Sequence, residues 1–86
     1  MFVIVTYDVS AKRVTKVMKI CRKYLNHVQK SVFEGMITEG KLKSLKKELE
    51  NKIVPIEDAI CIYKIDNLKF TSKEKIGVVK ESDNII

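Results

Sequence analysis

The feature that most constrains the fold is a pair of segments with no polar face. Met1–Val9 (MFVIVTYDV) and Ala59–Ile65 (AICIYKI) are β-branched, aliphatic or aromatic almost throughout, the composition of strands. Successive side chains of a strand point to opposite faces. In the first segment one parity holds Val3, Val5, Tyr7 and Val9, and the other Phe2, Ile4, Thr6 and Asp8. In the second, Ile60, Ile62 and Lys64 alternate with Ala59, Cys61, Tyr63 and Ile65. An antiparallel sheet with one wet face alternates apolar and polar residues, and these two segments do not. Both sheet faces therefore need cover. Helices cover one. At 86 residues a lone core is marginal, so a second copy of the sheet is the simplest cover for the other, and a two-fold homodimer packed through the sheet face is expected. The alternative is that short central strands are apolar by propensity alone.

Between and after these strands the periodicity is helical. Ser10 stands at an N-cap position, and Ala11–Leu25 repeats apolar residues at Val14, Val17, Met18, Cys21, Tyr24 and Leu25. Lys12, Lys16, Lys19 and Lys23 line the other side at steps of four, three and four. Val28–Thr38 is extended, with room for a hairpin and with Gly35 as its bulge or turn. Glu39–Lys52 is a second helix with Leu42, Leu45, Leu49 and Ile53 inward, stopped at Pro55. Asp66–Lys75 reads as a polar loop with a short strand near Phe70, Ile76–Val79 as a last short strand, and Glu81–Ile86 as a tail. The order is βαββαβ with an extra C-terminal strand, an α+β ferredoxin-like fold in one domain over residues 1–80, with 81–86 as tail.

Charge is distributed unevenly. Residues 9–33 hold Lys12, Arg13, Lys16, Lys19, Arg22, Lys23 and Lys30 and no acid, whereas the rest of the chain has ten basic and eleven acidic residues. The net charge of +6 thus belongs to one stretch. Such a single-sign patch suits a phosphate backbone; the alternative is a solvated helix face that maintains solubility. No apolar run approaches a membrane span or a signal-peptide core, so a cytoplasmic protein with no membrane partner is expected. Two cysteines, Cys21 and Cys61, are too few for a disulfide scaffold and lack zinc spacing; both read as small core residues. A P-loop, GxGxxG and HExxH are all absent, and a dinucleotide enzyme with a large enclosed pocket does not fit this length.

Asp8 ends the first strand, in the context -Y-D-V-S-, just before the basic helix. It shares parity with Phe2 and Ile4. If that face meets a second copy, two Asp8 carboxylates approach each other and call for a divalent cation. Magnesium takes one or two carboxylates and keeps several waters, so such a pair is an adequate site, and water activated there could attack a phosphodiester. Alternatively Asp8 only closes the strand-to-helix turn through nearby N–H groups. His27, the sole histidine, is either a proton shuttle or phosphate contact, or a plain polar surface residue.

Taken in order, MFVIVTYDVS, the basic helix, HVQKSVFEG and AICIYKI resemble the small CRISPR-associated endonuclease family, the second Cas protein of these systems. The strand-end -Y-D- and the stretch -V-Q-x-S-V-F-E- are the specific parts, and the likeness runs from about Met1 to Ile65. The resemblance implies a ferredoxin-like homodimer with a metal, magnesium or else manganese, between two Asp8 carboxylates. It implies endonuclease activity on single-stranded RNA or double-stranded DNA, and assembly between integrase dimers during spacer acquisition, where the nuclease activity is not necessarily used. Asp8 carries over as metal ligand and catalytic residue, with Ser31 and Phe33 from the -S-V-F- motif shaping the site. Arg13 falls where the family has an arginine early in the first helix. Arg13 and His27 are then phosphate contacts, and Lys12, Lys16, Lys19 and Lys23 the wider nucleic-acid surface. One departure stands out. The family usually has arginine immediately before V-Q, and this chain has His27, a weaker phosphate anchor than a guanidinium fork. A dimeric adaptor that holds duplex DNA and cuts nothing is the competing reading.

Overall fold

The computed structural model describes residues 1–66 and 69–78. Strand β1 (Phe2–Asp8) leads into helix α1 (Ala11–Arg22), followed by β2 (Asn26–Gln29) and β3 (Val32–Met36). Helix α2 (Glu39–Lys52) then precedes β4 (Ala59–Asp66) and β5 (Lys69–Gly77). The five strands form one sheet in the order β2-β3-β1-β4-β5, and each neighbouring pair is antiparallel. This is the expected α+β arrangement, a βαββαβ core with β1 at its centre.

Helix α1 forms because its apolar residues recur on one side, and Val17, Ile20 and Cys21 are buried there. It ends at Arg22, short of the expected Leu25, because residues 23–25 tighten into a turn; the Tyr24 and Leu25 N–H groups both donate to the Cys21 carbonyl. Helix α2 starts at Thr38, whose hydroxyl accepts the Lys41 N–H at 3.2 Å, and it buries Leu42, Leu45 and Leu49. Both helices pack on the sheet face that carries Val3, Val5 and Tyr7 of β1, Phe33 of β3, and Ile60 and Ile62 of β4. These residues join the helix side chains in one buried cluster.

Two expectations are corrected. Residues 69–77 form one long edge strand where a loop with a short strand near Phe70 and a separate short last strand were expected. Their polar, charged sequence hid the strand, because an edge strand is held by its ladder to β4 and by ion pairs and needs no apolar alternation. The Glu74 carboxylate bridges Lys46 at 2.8 Å and Lys64 at 3.0 Å. The Lys73 ammonium lies 5.3 Å from the centre of the Tyr63 ring. Gly35 is neither bulge nor turn. It sits inside β3 opposite Val3; the hairpin turns at Lys30–Ser31, and the register shift falls between His27 and Gln29. The expected tail at 81–86 lies outside the described residues.

Candidate functional site

Among the described residues, no helix lies on the second sheet face. Cross-strand partners place Phe2 beside Met36 and Ile65, Ile4 beside Glu34 and Tyr63, and Thr6 beside Val32 and Cys61. Met36 is 71% exposed, and Phe2, Ile4, Val32, Tyr63 and Ile65 are half-buried. This is the apolar face that the sequence pattern left without a polar side. Asp8 is exposed at its end, opposite Ala59 of β4.

The candidate residues divide between the two faces. Phe33 stands opposite Val5 and is fully buried beneath the helices. His27, opposite Phe33, stacks on its ring with centroids 4.4 Å apart and planes 7° apart. Tyr7 flanks the same phenyl ring at 6.2 Å. The Tyr7 hydroxyl donates to the Lys30 carbonyl at 3.4 Å, and His27 Nε2 lies 3.3 Å from the same oxygen. The Ser31 carbonyl accepts the Tyr7 N–H at 3.2 Å. His27 and Phe33 thus brace the hairpin turn from the helix side, while Asp8 follows the parity of the open face. Ser31 sits half-buried in that turn, at the same end of the sheet as Asp8.

Lys12, Lys16, Lys19 and Lys23 are all exposed along α1, on the side away from the core. Lys23 is ion-paired with Glu48 of α2, which also accepts a hydrogen bond from the Tyr24 hydroxyl. These two partners hold the Glu48 carboxyl below its ordinary value. The ladder lies on the helix layer, across the sheet from Asp8. A cleft of about 400 Å³ lined by Glu39, Gly40, Leu42, Lys43, Lys46 and Lys64 contains none of these candidates. Cys21 is buried in the core, and burial pushes its thiol up to about 12, consistent with an inert packing role.

Sequence reasoning missed Asp58. Its side chain is fully buried. Its carboxylate accepts the Ser10 N–H and the Val54 N–H, each at 2.8 Å. It also accepts Arg13 Nε at 2.6 Å and Arg13 Nη2 at 3.2 Å. Arg13 Nη2 further donates to Glu57 at 2.7 Å. Burial alone would raise the Asp58 pKa, but Arg13 and the Val54 and Ser10 N–H groups outweigh it and hold the carboxyl down at about 2. Ser10 stands at the N-cap of α1 without a side-chain cap hydrogen bond, and Asp58 supplies the negative charge at that helix end instead. No local spacing signals this partnership, since Arg13 and Asp58 are 45 residues apart.

The donor set limits what metal the chain can hold. Among the described residues there is no group of three or more histidine, cysteine, aspartate or glutamate side chains able to hold a metal. Asp8 is one exposed carboxylate at the end of the sheet face opposite the helices. That fits a cation held by few protein ligands and several waters, of the magnesium type, if a second copy brings a second Asp8. It does not fit a closed structural metal site.

The likeness to known proteins follows the same features. The family model for "CRISPR associated protein Cas2" matches residues 1–73. A Thermotoga maritima protein named CRISPR-associated endoribonuclease Cas2 is 45% identical over 86 residues, covering 100% of this chain and 99% of the relative. A Thermodesulfovibrio yellowstonii protein of the same kind is 48% identical over 80 residues, covering 93% and 91%. The crystal structure of Streptococcus pyogenes Cas2 superposes with a TM-score of 0.71 at 36% identity, over 77% of this chain and 87% of that one. With the family model matching most of the chain, a relative alignable along its whole length and a solved structure of the same fold, the chain belongs to the CRISPR-associated Cas2 family.

Proposed function

We propose that the chain is a metal-dependent endonuclease that works as a two-fold dimer, its open sheet faces packed together and Asp8 from each copy at the catalytic centre. The observation that carries this reading is an exposed carboxylate at the end of a sheet face that is mostly apolar, though it also carries Thr6, Glu34 and Lys73, and that no helix covers among the described residues. Relatives named endoribonucleases make single-stranded RNA the first substrate to test, with duplex DNA second. Packing the half-buried Phe2, Ile4, Val32, Tyr63 and Ile65 and the exposed Met36 against a second copy removes apolar surface from water. The same packing brings two carboxylates together in a setting of reduced water, where they favour a shared cation. A magnesium-type ion bound there would supply a Lewis acid and an activated water for phosphodiester hydrolysis. The chain's own residues do the rest. Asp8 would hold the ion, and Tyr7 and the His27–Phe33 stack fix the adjacent hairpin turn.

The test is direct. Wild type and Asp8→Asn are incubated with single-stranded RNA and with duplex DNA, with and without magnesium, alongside size-exclusion chromatography. Metal-dependent cutting by the dimeric wild type only is expected. Equal cutting by a dimeric Asp8→Asn variant would remove Asp8 from the chemistry.

A second reading rests on a different observation. The exposed lysines of α1 lie across the sheet from Asp8, so a duplex held by them is not delivered to that carboxylate. In a dimer packed through the open faces the ladders point outward on both sides. That suits an adaptor that grips DNA between integrase dimers. Duplex binding with no cutting of either nucleic acid would favour it.

A further inference from the structure

The corner that carries Asp8 is held from one point. The Asp58 side chain receives four hydrogen bonds from three segments: Ser10 after β1, Arg13 in α1, and Val54 before β4. Its main chain adds two more. The Asp58 N–H donates to the Val54 carbonyl at 2.8 Å, and its carbonyl accepts the Val78 N–H at 2.9 Å. The last residue of β5, Gly77, approaches so closely that a Cβ there would lie 2.0 Å from the Asp58 oxygen. Asp8 is two residues before Ser10, and its cross-strand partner Ala59 directly follows Asp58. Both sides of the Asp8 ladder pair therefore end on this carboxylate. Arg13 is mostly buried in the arrangement: its side chain is 11% exposed, with Nε and Nη2 directed at Asp58 and Glu57. That leaves it poorly placed to take a substrate phosphate.

We infer that Arg13 and Asp58 form a positioning pair for Asp8, with Arg13 acting through Asp58 and not on nucleic acid. The pair fixes where the β1 strand end leaves the sheet, and so the direction from which the Asp8 carboxylate meets its ion. This rests on Asp8 being the metal ligand, as proposed above.

The test compares wild type, Arg13→Gln, Arg13→Lys, Asp58→Asn and Asp8→Asn. Manganese binding is followed by water-proton relaxation, which needs no turnover, and RNA affinity is measured across a salt series. A positioning role gives roughly tenfold weaker manganese binding in Arg13→Gln and Asp58→Asn, as for other residues that orient a ligand without touching the metal. The RNA salt slope stays unchanged, and Arg13→Lys restores part of the loss. A phosphate-contact role gives the opposite result: unchanged manganese affinity and a salt slope flattened by about one in Arg13→Gln. That result would overturn the inference. Should Asp58→Asn not fold, the two Arg13 variants decide the question alone. If wild type binds manganese through Asp8 but cuts nothing, the hydrolytic reading fails while the positioning role stands or falls on the same titrations. If wild type binds no manganese, both are overturned.

Discussion

Replacing Lys12, Lys16 and Lys19 together by glutamine gives the sharpest test of the outward basic face. All three are exposed on α1 and lie within about 11 Å along its axis, at ~1.5 Å per residue. Each phosphate neutralised on a duplex contributes about 0.9 to the log–log dependence of affinity on salt, and about 0.7 on a single strand. Removing three such contacts should lower the slope by about 2.7 for duplex DNA and about 2.1 for RNA. Between 50 and 200 mM salt, the wild type should then lose roughly 40-fold more duplex affinity than the triple variant loses. Lys23→Gln serves as the internal control. Its ammonium is already paired with Glu48, so its effect should be well below that of an average ladder lysine. Fluorescence anisotropy with a labelled duplex over that salt range reads all of this. An unchanged slope in the triple variant, or a Lys23→Gln effect as large as the other three combined, would refute the assignment of the ladder as the phosphate-binding face.

Two further expectations concern the Asp58 corner. Gly77 has φ of +95° and no room for a Cβ, so Gly77→Ala should cost at least about 2 kcal/mol and lower the melting temperature by about 10 °C; an unchanged melting curve would contradict the close approach. The Asp58 carboxyl, moved from 3.8 to about 2, should contribute roughly 2–3 kcal/mol at neutral pH. Because its folded pKa is depressed, that stability is present above about pH 4 and is lost as pH falls toward 2. Urea unfolding should therefore show the stability gap between wild type and Asp58→Asn narrowing over that window, and a gap independent of pH would argue against the buried ion pair.

Much of the fold was legible because burial and periodicity coincide. The two-faced strands β1 and β4 became central strands, and the leucine stripe of α2 became its buried side. The open apolar face was legible for the same reason, since Phe2, Ile4 and Tyr63 stand where a polar row was missing. β5 was not legible. Its Thr-Ser-Lys-Glu-Lys run has no apolar alternation, and its pairing is set by the neighbouring strand and by the Lys46–Glu74–Lys64 contacts. At the site, Asp8 could be singled out by its place at a strand end. The separation of Asp8 from Phe33 needed the β1–β3 register, and that from His27 also the β2–β3 register, which a shift between His27 and Gln29 makes unreadable from alternation. Asp58 was invisible for another reason. Two adjacent acids before a strand, Glu57 and Asp58, have no local pattern that marks one as buried, and the meaning of Asp58 comes from an arginine on a distant helix.

The central claim is that two copies of Asp8, one from each subunit, form a single catalytic centre. Wild type and Asp8→Asn should be co-refolded at known ratios and assayed for magnesium-dependent RNA cleavage at constant total protein. If both carboxylates are required, activity should fall as the square of the wild-type fraction, to about one quarter at an equal mixture, as random pairing of subunits dictates. A linear fall to about one half would show that each subunit cuts alone and would contradict the shared site.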